Sequence, residues 1–154
     1  ASVDRVGIKT ATPLAALHVT GDTFFGGNVR EKVTISATAS TGTINFDAIT
    51  QAVLYFTTNA SGNFTINVRG DGSTTLNSIM ATGDALTIAF LSTQGSSAYY
   101  MSAFTVDGSS VTPKYQGGSA FSAGNASGID SYAITVIKTG DAAFTALAAQ
   151  TQFG

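Results

Sequence analysis

The sequence predicts an all-β chain: an antiparallel, jelly-roll-like β-sandwich over residues 30–154, preceded by an extended segment over residues 1–29. Three observations lead there. Apolar residues alternate with polar ones at a period of two along most of the chain. The runs that alternate are rich in β-branched and aromatic residues. Clusters of Gly, Asn, Asp and Ser interrupt them every eight to twelve residues or so, the spacing of an all-β domain.

The elements follow in order. The opening stretch "VGIKTATPLAALHVTGD", residues 6–22, carries apolar residues at spacings that suit no core helix, and it is too short to fold alone. "GDTFFGGN" is a Gly-rich break around Phe24 and Phe25. In "EKVTISAT", Val33, Ile35 and Ala37 share one face. "GTINFDA" puts Ile44 and Phe46 together. "QAVLYFTT" has large residues on both faces, as a deeply buried strand does. It is followed by "NASG" and by "NFTINVRG", where Phe64, Ile66 and Val68 alternate; two strands about a short polar turn predict a β-hairpin. Residues 75–82, "TLNSIMAT", predict a turn or one helical turn. "DALTIAFLST", "SAYYMSAFTVDG" and "SYAITVIKTG" are further strands. "AFTALAAQTQF" has the alanine content of a helix, but its alternation and Thr151 favour a strand. Residues 107–131 form one long irregular stretch with Pro113 and several glycines, and loops of that length are usually functional or held by a partner. No internal repeat of 20–50 residues is evident.

Composition narrows the function. The 154 residues suit one domain and a short extension. Hydrophobic residues make up 44%, enough for a core, while charged residues are 10%, against about 25% in an average soluble protein. A net charge of −2 gives no electrostatic basis for binding nucleic acid or a membrane surface. No apolar run is long enough for membrane insertion, and the N-terminus lacks the pattern of a signal peptide. With no cysteine and one histidine, disulfide frameworks, thiolate sites and imidazole metal sites are excluded. Catalysis needs a nucleophile with its base, paired carboxylates or a metal. His18 has no assignable partner, and the eight Asp and one Glu fall mostly in turns, where they cap backbone amides. We therefore expect no enzyme activity, no cofactor and no metal. The "GDG" turn at 70–72 offers too few oxygens for calcium. The "RGD" at 69–71 ends a strand and enters a turn, and the N-x-S patterns at Asn59 and Asn125 have meaning only in a secretory setting. Tyr99, Tyr100, Tyr115 and Phe121 are of the type that stacks on sugars, though such residues more often fill a core or an interface.

The opening segment resembles the "VGIGT-x-x-P-x-x-x-LHV-x-G-D" stretch of tail-fibre and other adhesin-like fibrous proteins of tailed phages. Val6, Gly7, Ile8, Thr10, Pro13, Leu17, His18, Val19, Gly21 and Asp22 carry the likeness, and Lys9 stands where glycine is usual. Residues 43–74 and 106–153 are similar to virion structural proteins of marine tailed phages, including cyanophages, so the resemblance covers nearly the whole chain. It implies localisation in the virion, as a fibre or appendage subunit, with other virion proteins as partners. Such fibres are homotrimers. A segment that cannot bury its apolar residues alone can do so against two copies of itself, which assigns Ile8, Leu14, Leu17 and Val19, with Phe24 and Phe25, to a trimer interface. Host attachment would then fall to the long loop, where Lys114, Tyr115 and Gln116 have the chemistry to meet a surface glycan. Two other classes compete: a capsid-decorating protein docked on the shell by its N-terminal arm, and a glycan-binding module.

Overall fold

The structure, a computed structural model, describes residues 5–154, and β-strand dominates it. The chain divides into two compact units between Arg30 and Glu31. Residues 1–4 of the segment expected to form the trimer contacts lie outside the described residues.

The N-terminal unit is not simply extended, as the sequence suggested. It folds back so that β1 (Val6–Ile8) and β2 (Leu17–Val19) pair in parallel, with Gly7 beside His18. Local bonds hold the intervening loop. Arg5 donates to the Pro13 carbonyl at 2.8 Å, and the Leu14 amide donates to His18 Nδ1 at 3.3 Å. Gly7 has no room for a side chain, because a Cβ there would collide with the Thr10 carbonyl. Lys9, at the position where the resembling segments have glycine, takes φ 58°, a conformation that costs a non-glycine residue about 1–2 kcal/mol.

The second unit holds the remaining strands: β3 (Val33–Ala39), β4 (Gly42–Asp47), β5 (Val53–Thr58), β6 (Phe64–Arg69), β7 (Ala85–Thr93), β8 (Met101–Val106), β9 (Ser109–Ser110), β10 (Lys114–Tyr115), β11 (Ile129–Gly140) and β12 (Ala143–Phe153). One helical turn, α1 (Leu76–Ile79), lies before β7, where the sequence allowed it. Six strands form one sheet in the order β10-β12-β11-β7-β5-β3, and four form another in the order β4-β6-β8-β9.

The topology corrects the antiparallel, jelly-roll expectation. From β3 to β8 the chain alternates between the two sheets, and within each sheet successive strands are parallel: β3, β5 and β7 in one, β4, β6 and β8 in the other. The chain thus winds as a parallel roll. The antiparallel pairs are confined to β8–β9, β7–β11 and β11–β12. Alternation shows which face of a strand is buried and is silent on its direction, while strands polar on one face point by default to antiparallel pairing. The expected hairpin between β5 and β6 is likewise a crossover between sheets. Its connecting residues bond to neighbouring coils rather than to each other, the Ala60 amide to the Thr93 carbonyl at 2.8 Å and the Ser61 amide to the Ser40 carbonyl at 3.1 Å.

The inner faces of the two sheets share one core. Phe64 of β6 lies 5.3 Å from Phe90 of β7 and 5.7 Å from Tyr132 of β11, ring centre to ring centre, so aromatic contacts cross from sheet to sheet. Ile66, Val68, Phe104, Val106, Ile134 and Val136 complete the buried alternation. In β3 the apolar side faces outward: Val33 and Ile35 are exposed while Thr34 and Ser36 are half-buried. These hydroxyls face a depression at the open end of the roll. The outer face of the four-stranded sheet is polar and internally bonded. Asn67 Nδ2 donates to Asn45 Oδ1 at 2.8 Å, Thr105 donates to Asn67 Oδ1 at 2.8 Å, and Arg69 Nε pairs with Asp47 at 2.6 Å.

Candidate functional site

Residues 107–131 are far from structureless. Asp107 and Gly108, at φ 51° and 79°, form the tight turn between β8 and β9, where Asp-Gly suits two successive positive φ angles. Pro113 is buried, and β10 then runs parallel to β12, with Lys114 beside Leu147 and Tyr115 beside Ala148. Neighbouring strand residues point to opposite faces. Lys114 is accordingly exposed, on the side of exposed Leu147, and Tyr115 turns to the core side with buried Ala148. The Tyr115 ring meets Phe121 edge-on at 4.9 Å, and Phe121 meets Tyr132 at 5.5 Å. Burial pushes the Tyr115 phenol pKa up.

Of the three expected glycan contacts, then, Lys114 and Tyr115 do not share a surface. Gln116 opens the 3-10 turn Gln116–Gly118 and borders an open depression of about 670 Å³ with Phe121, Ser122, Gln150 and Gln152. Its lining side chains are uncharged: three amides and two hydroxyls, which can exchange hydrogen bonds with a hydroxyl-rich ligand, beside two alanines and one aromatic ring. Gln150 is partly committed, donating to the Ala123 carbonyl at 3.0 Å and to the Tyr132 hydroxyl at 3.3 Å. Gln116 and Gln152 are exposed. Below them Asp130 is buried, with the Asn125 amide on its two oxygens at 3.2 and 3.1 Å, and burial pushes its carboxyl pKa up. Sequence reasoning missed Gln150 and Gln152, because only the β11–β12 register, Asp130 beside Gln152, brings the end of the chain to the loop.

Tyr115 should therefore behave as a structural residue. Tyr115→Ala is expected to cost about 2 kcal/mol, a fall of roughly 6 °C in melting temperature, while Gln116→Ala leaves melting unchanged. Thermal melts of the two variants check this; equal melting of both would contradict it.

The other singled-out residues have local work. Tyr99 is fixed through its backbone by Gln94, whose Oε1 accepts the Tyr99 amide at 2.9 Å and whose Nε2 donates to the Tyr99 carbonyl at 2.8 Å. Tyr100 is half-buried, its amide bonded to Asn63 Oδ1 at 3.2 Å. In the "RGD" stretch Arg69 is engaged by Asp47, and Asp71 accepts the Ser73 amide at 2.8 Å. Asn125 Nδ2 donates to the Phe153 carbonyl at 2.9 Å. Among the described residues no three His, Cys, Asp or Glu side chains gather as a metal would require, and no helix is long and apolar enough to cross a membrane.

The expected interface residues are uncovered. Phe24 is 93% exposed and Leu14 76%, and Ile8, Leu17 and Phe25 are also exposed; Val19 is half-buried. Holding such side chains in water forgoes about 1.5–3 kcal/mol each. No protein family, curated protein or solved structure was found that matches the chain.

Proposed function

We propose that the chain is a structural protein of a virion, a fibre or appendage subunit that assembles as a homotrimer through its N-terminal segment, with other virion proteins as further partners. In this reading the two sheets are the layers of a β-sandwich that the segment ties to its neighbours. The observation that carries it is the run of uncovered apolar side chains from Ile8 to Phe25, in a unit too small to bury them itself. The scarcity of charge supports it, since surfaces of hydroxyls and amides meet one another without desolvating ions. A non-enzymatic role is supported by how the carboxylates are spent. Asp107 accepts the amides of Leu76 and Asn77, Asp84 that of Ala81, and Asp141 the side-chain amide of Asn77, while Asp47 pairs with Arg69.

The test is sedimentation of the intact chain against the double variant Leu14→Asp, Phe24→Asp. Both positions are highly exposed, so the fold of one chain tolerates the change. The intact chain should sediment at three times 15.6 kDa and the variant at the mass of one chain. A monomeric intact chain at micromolar concentration would refute the reading, as would a variant that still assembles.

One observation favours a second role within the first. The uncharged depression beside Gln116 and Gln152 suits a neutral surface glycan, which would place host attachment at the end of the β11–β12 pair rather than at Tyr115.

A further inference from the structure

The outer faces of the two sheets differ in kind. The four-stranded sheet presents the Asn45–Asn67–Thr105 ladder and the Asp47–Arg69 pair, a surface whose polar groups bond to each other. The six-stranded sheet presents a row of small apolar residues in register across five strands: Val33, Val53, Ala89, Ala133 and Ala149. Beside it runs a second row, Ile35, Tyr55, Leu91, Ser131 and Thr151, apolar toward β3 and hydroxyl-bearing toward β12, and on the other side Thr87 and Thr135 share a hydrogen bond of 2.8 Å. The charged residues of β11, Asp130 and Lys138, both turn inward and are buried. Among the strand residues the one charge on this outer face is Lys114, at the β10 rim.

We infer that the outer face of the six-stranded sheet is a subunit interface, covered by neighbouring copies of this chain in the trimer. This rests on the homotrimeric reading above and deepens it by placing a second contact surface on the sheet unit. Three features select a copy of the chain as the occupant. Apart from Lys114 at its rim the face lacks charge, so it offers little to an acidic or basic partner, whereas an equally charge-poor face exists on every copy. Its central residues are alanines, whose short side chains let the three copies of the face converge closely about the three-fold axis. Five strands spaced ~4.8 Å apart and averaging about nine residues, with the two-residue β10 at the rim, make a face of roughly 24 by 30 Å, or about 700 Å². That is close to the ~800 Å² per partner of a stable interface. The edge strand points the same way. From Val33 to Phe46 there is neither charge nor proline, the devices by which exposed edges are normally kept from pairing.

The chain contains no cysteine, so one introduced thiol reports one place. Ala133 lies at the centre of this face and Ala103 on the outer face of the four-stranded sheet, and both are exposed in the single chain. Ala133→Cys and Ala103→Cys are each mixed with a maleimide at micromolar protein while the mass is read by sedimentation. The expected result is a trimer in which the thiol at 133 reacts at least about tenfold more slowly than the thiol at 103. Adding the Leu14→Asp, Phe24→Asp pair should release that protection. A trimer whose two thiols react alike overturns the inference and leaves the homotrimer standing; so does protection at 103 alone. A monomeric parent chain overturns both.

Discussion

Phe90→Ala should lower the stability of the chain by about 3–5 kcal/mol, the largest loss expected from any single truncation here. Phe90 is fully buried on β7, and its ring lies 5.5 Å from Phe56, 5.3 Å from Phe64 and 6.2 Å from Tyr132. Those partners come from β5, β6 and β11, so the ring joins two coils of the roll, both sheets and the closing hairpin at once. None of the neighbours can move in to fill the gap without breaking its own ladder, so the cavity persists and adds its cost to the lost transfer free energy. Urea unfolding of parent and variant at equal chain concentration measures the difference, which keeps any contribution of the proposed assembly the same in both. A loss below about 1.5 kcal/mol would mean that the two sheets do not share a rigid core.

Lys138→Met should cost about 2–4 kcal/mol, although it replaces a charge by an apolar residue of similar length. Lys138 is buried on β11 among core positions, and its ammonium donates to the Asn77 carbonyl at 2.6 Å and the Met80 carbonyl at 2.9 Å. It thereby holds the C-terminal end of α1, whose amides at the other end are held by the Asp107 carboxylate at 2.7 and 2.9 Å. A four-residue helix has no stability of its own. Its place in the second coil depends on these two clamps, and methionine leaves both carbonyls without a donor. Hydrogen exchange should rise first at Met80, whose amide bonds to the Leu76 carbonyl. A variant as stable as the parent, with exchange there unchanged, would show that the clamp is dispensable.

What the sequence disclosed and what it hid divide along a physical line. Burial was legible: Phe64, Ile66 and Val68, or Tyr132, Ile134 and Val136, alternate because a strand has two faces, and those residues are inside. The single helical turn at Leu76–Ile79 was legible from local chemistry, whereas the Asp-Gly turn at 107–108 lay hidden in a stretch that reads as irregular. Strand direction was not, because Val53–Thr58 reads the same whether its neighbour runs with it or against it. The winding left no repeat to find, since the coil from Val33 to Val53 is much shorter than that from Val53 to Ala89. The outward turn of Val33 and Ile35 was hidden for another reason: an apolar face is normally read as a covered one, and here none of the described residues covers it. The candidate glycan site was half legible. Gln116 sits in a stretch whose length drew attention, while Gln150 and Gln152 sit in an ordinary strand and reach the site only through long-range pairing.

Imaging of purified virions that carry this chain, with the chain tagged at its C-terminus, tests the central claim most directly. The account predicts the tag on a tail fibre or other appendage, three copies to each, arranged about a three-fold axis. Particles without the tag, or a tag spread regularly over the capsid shell, would contradict it.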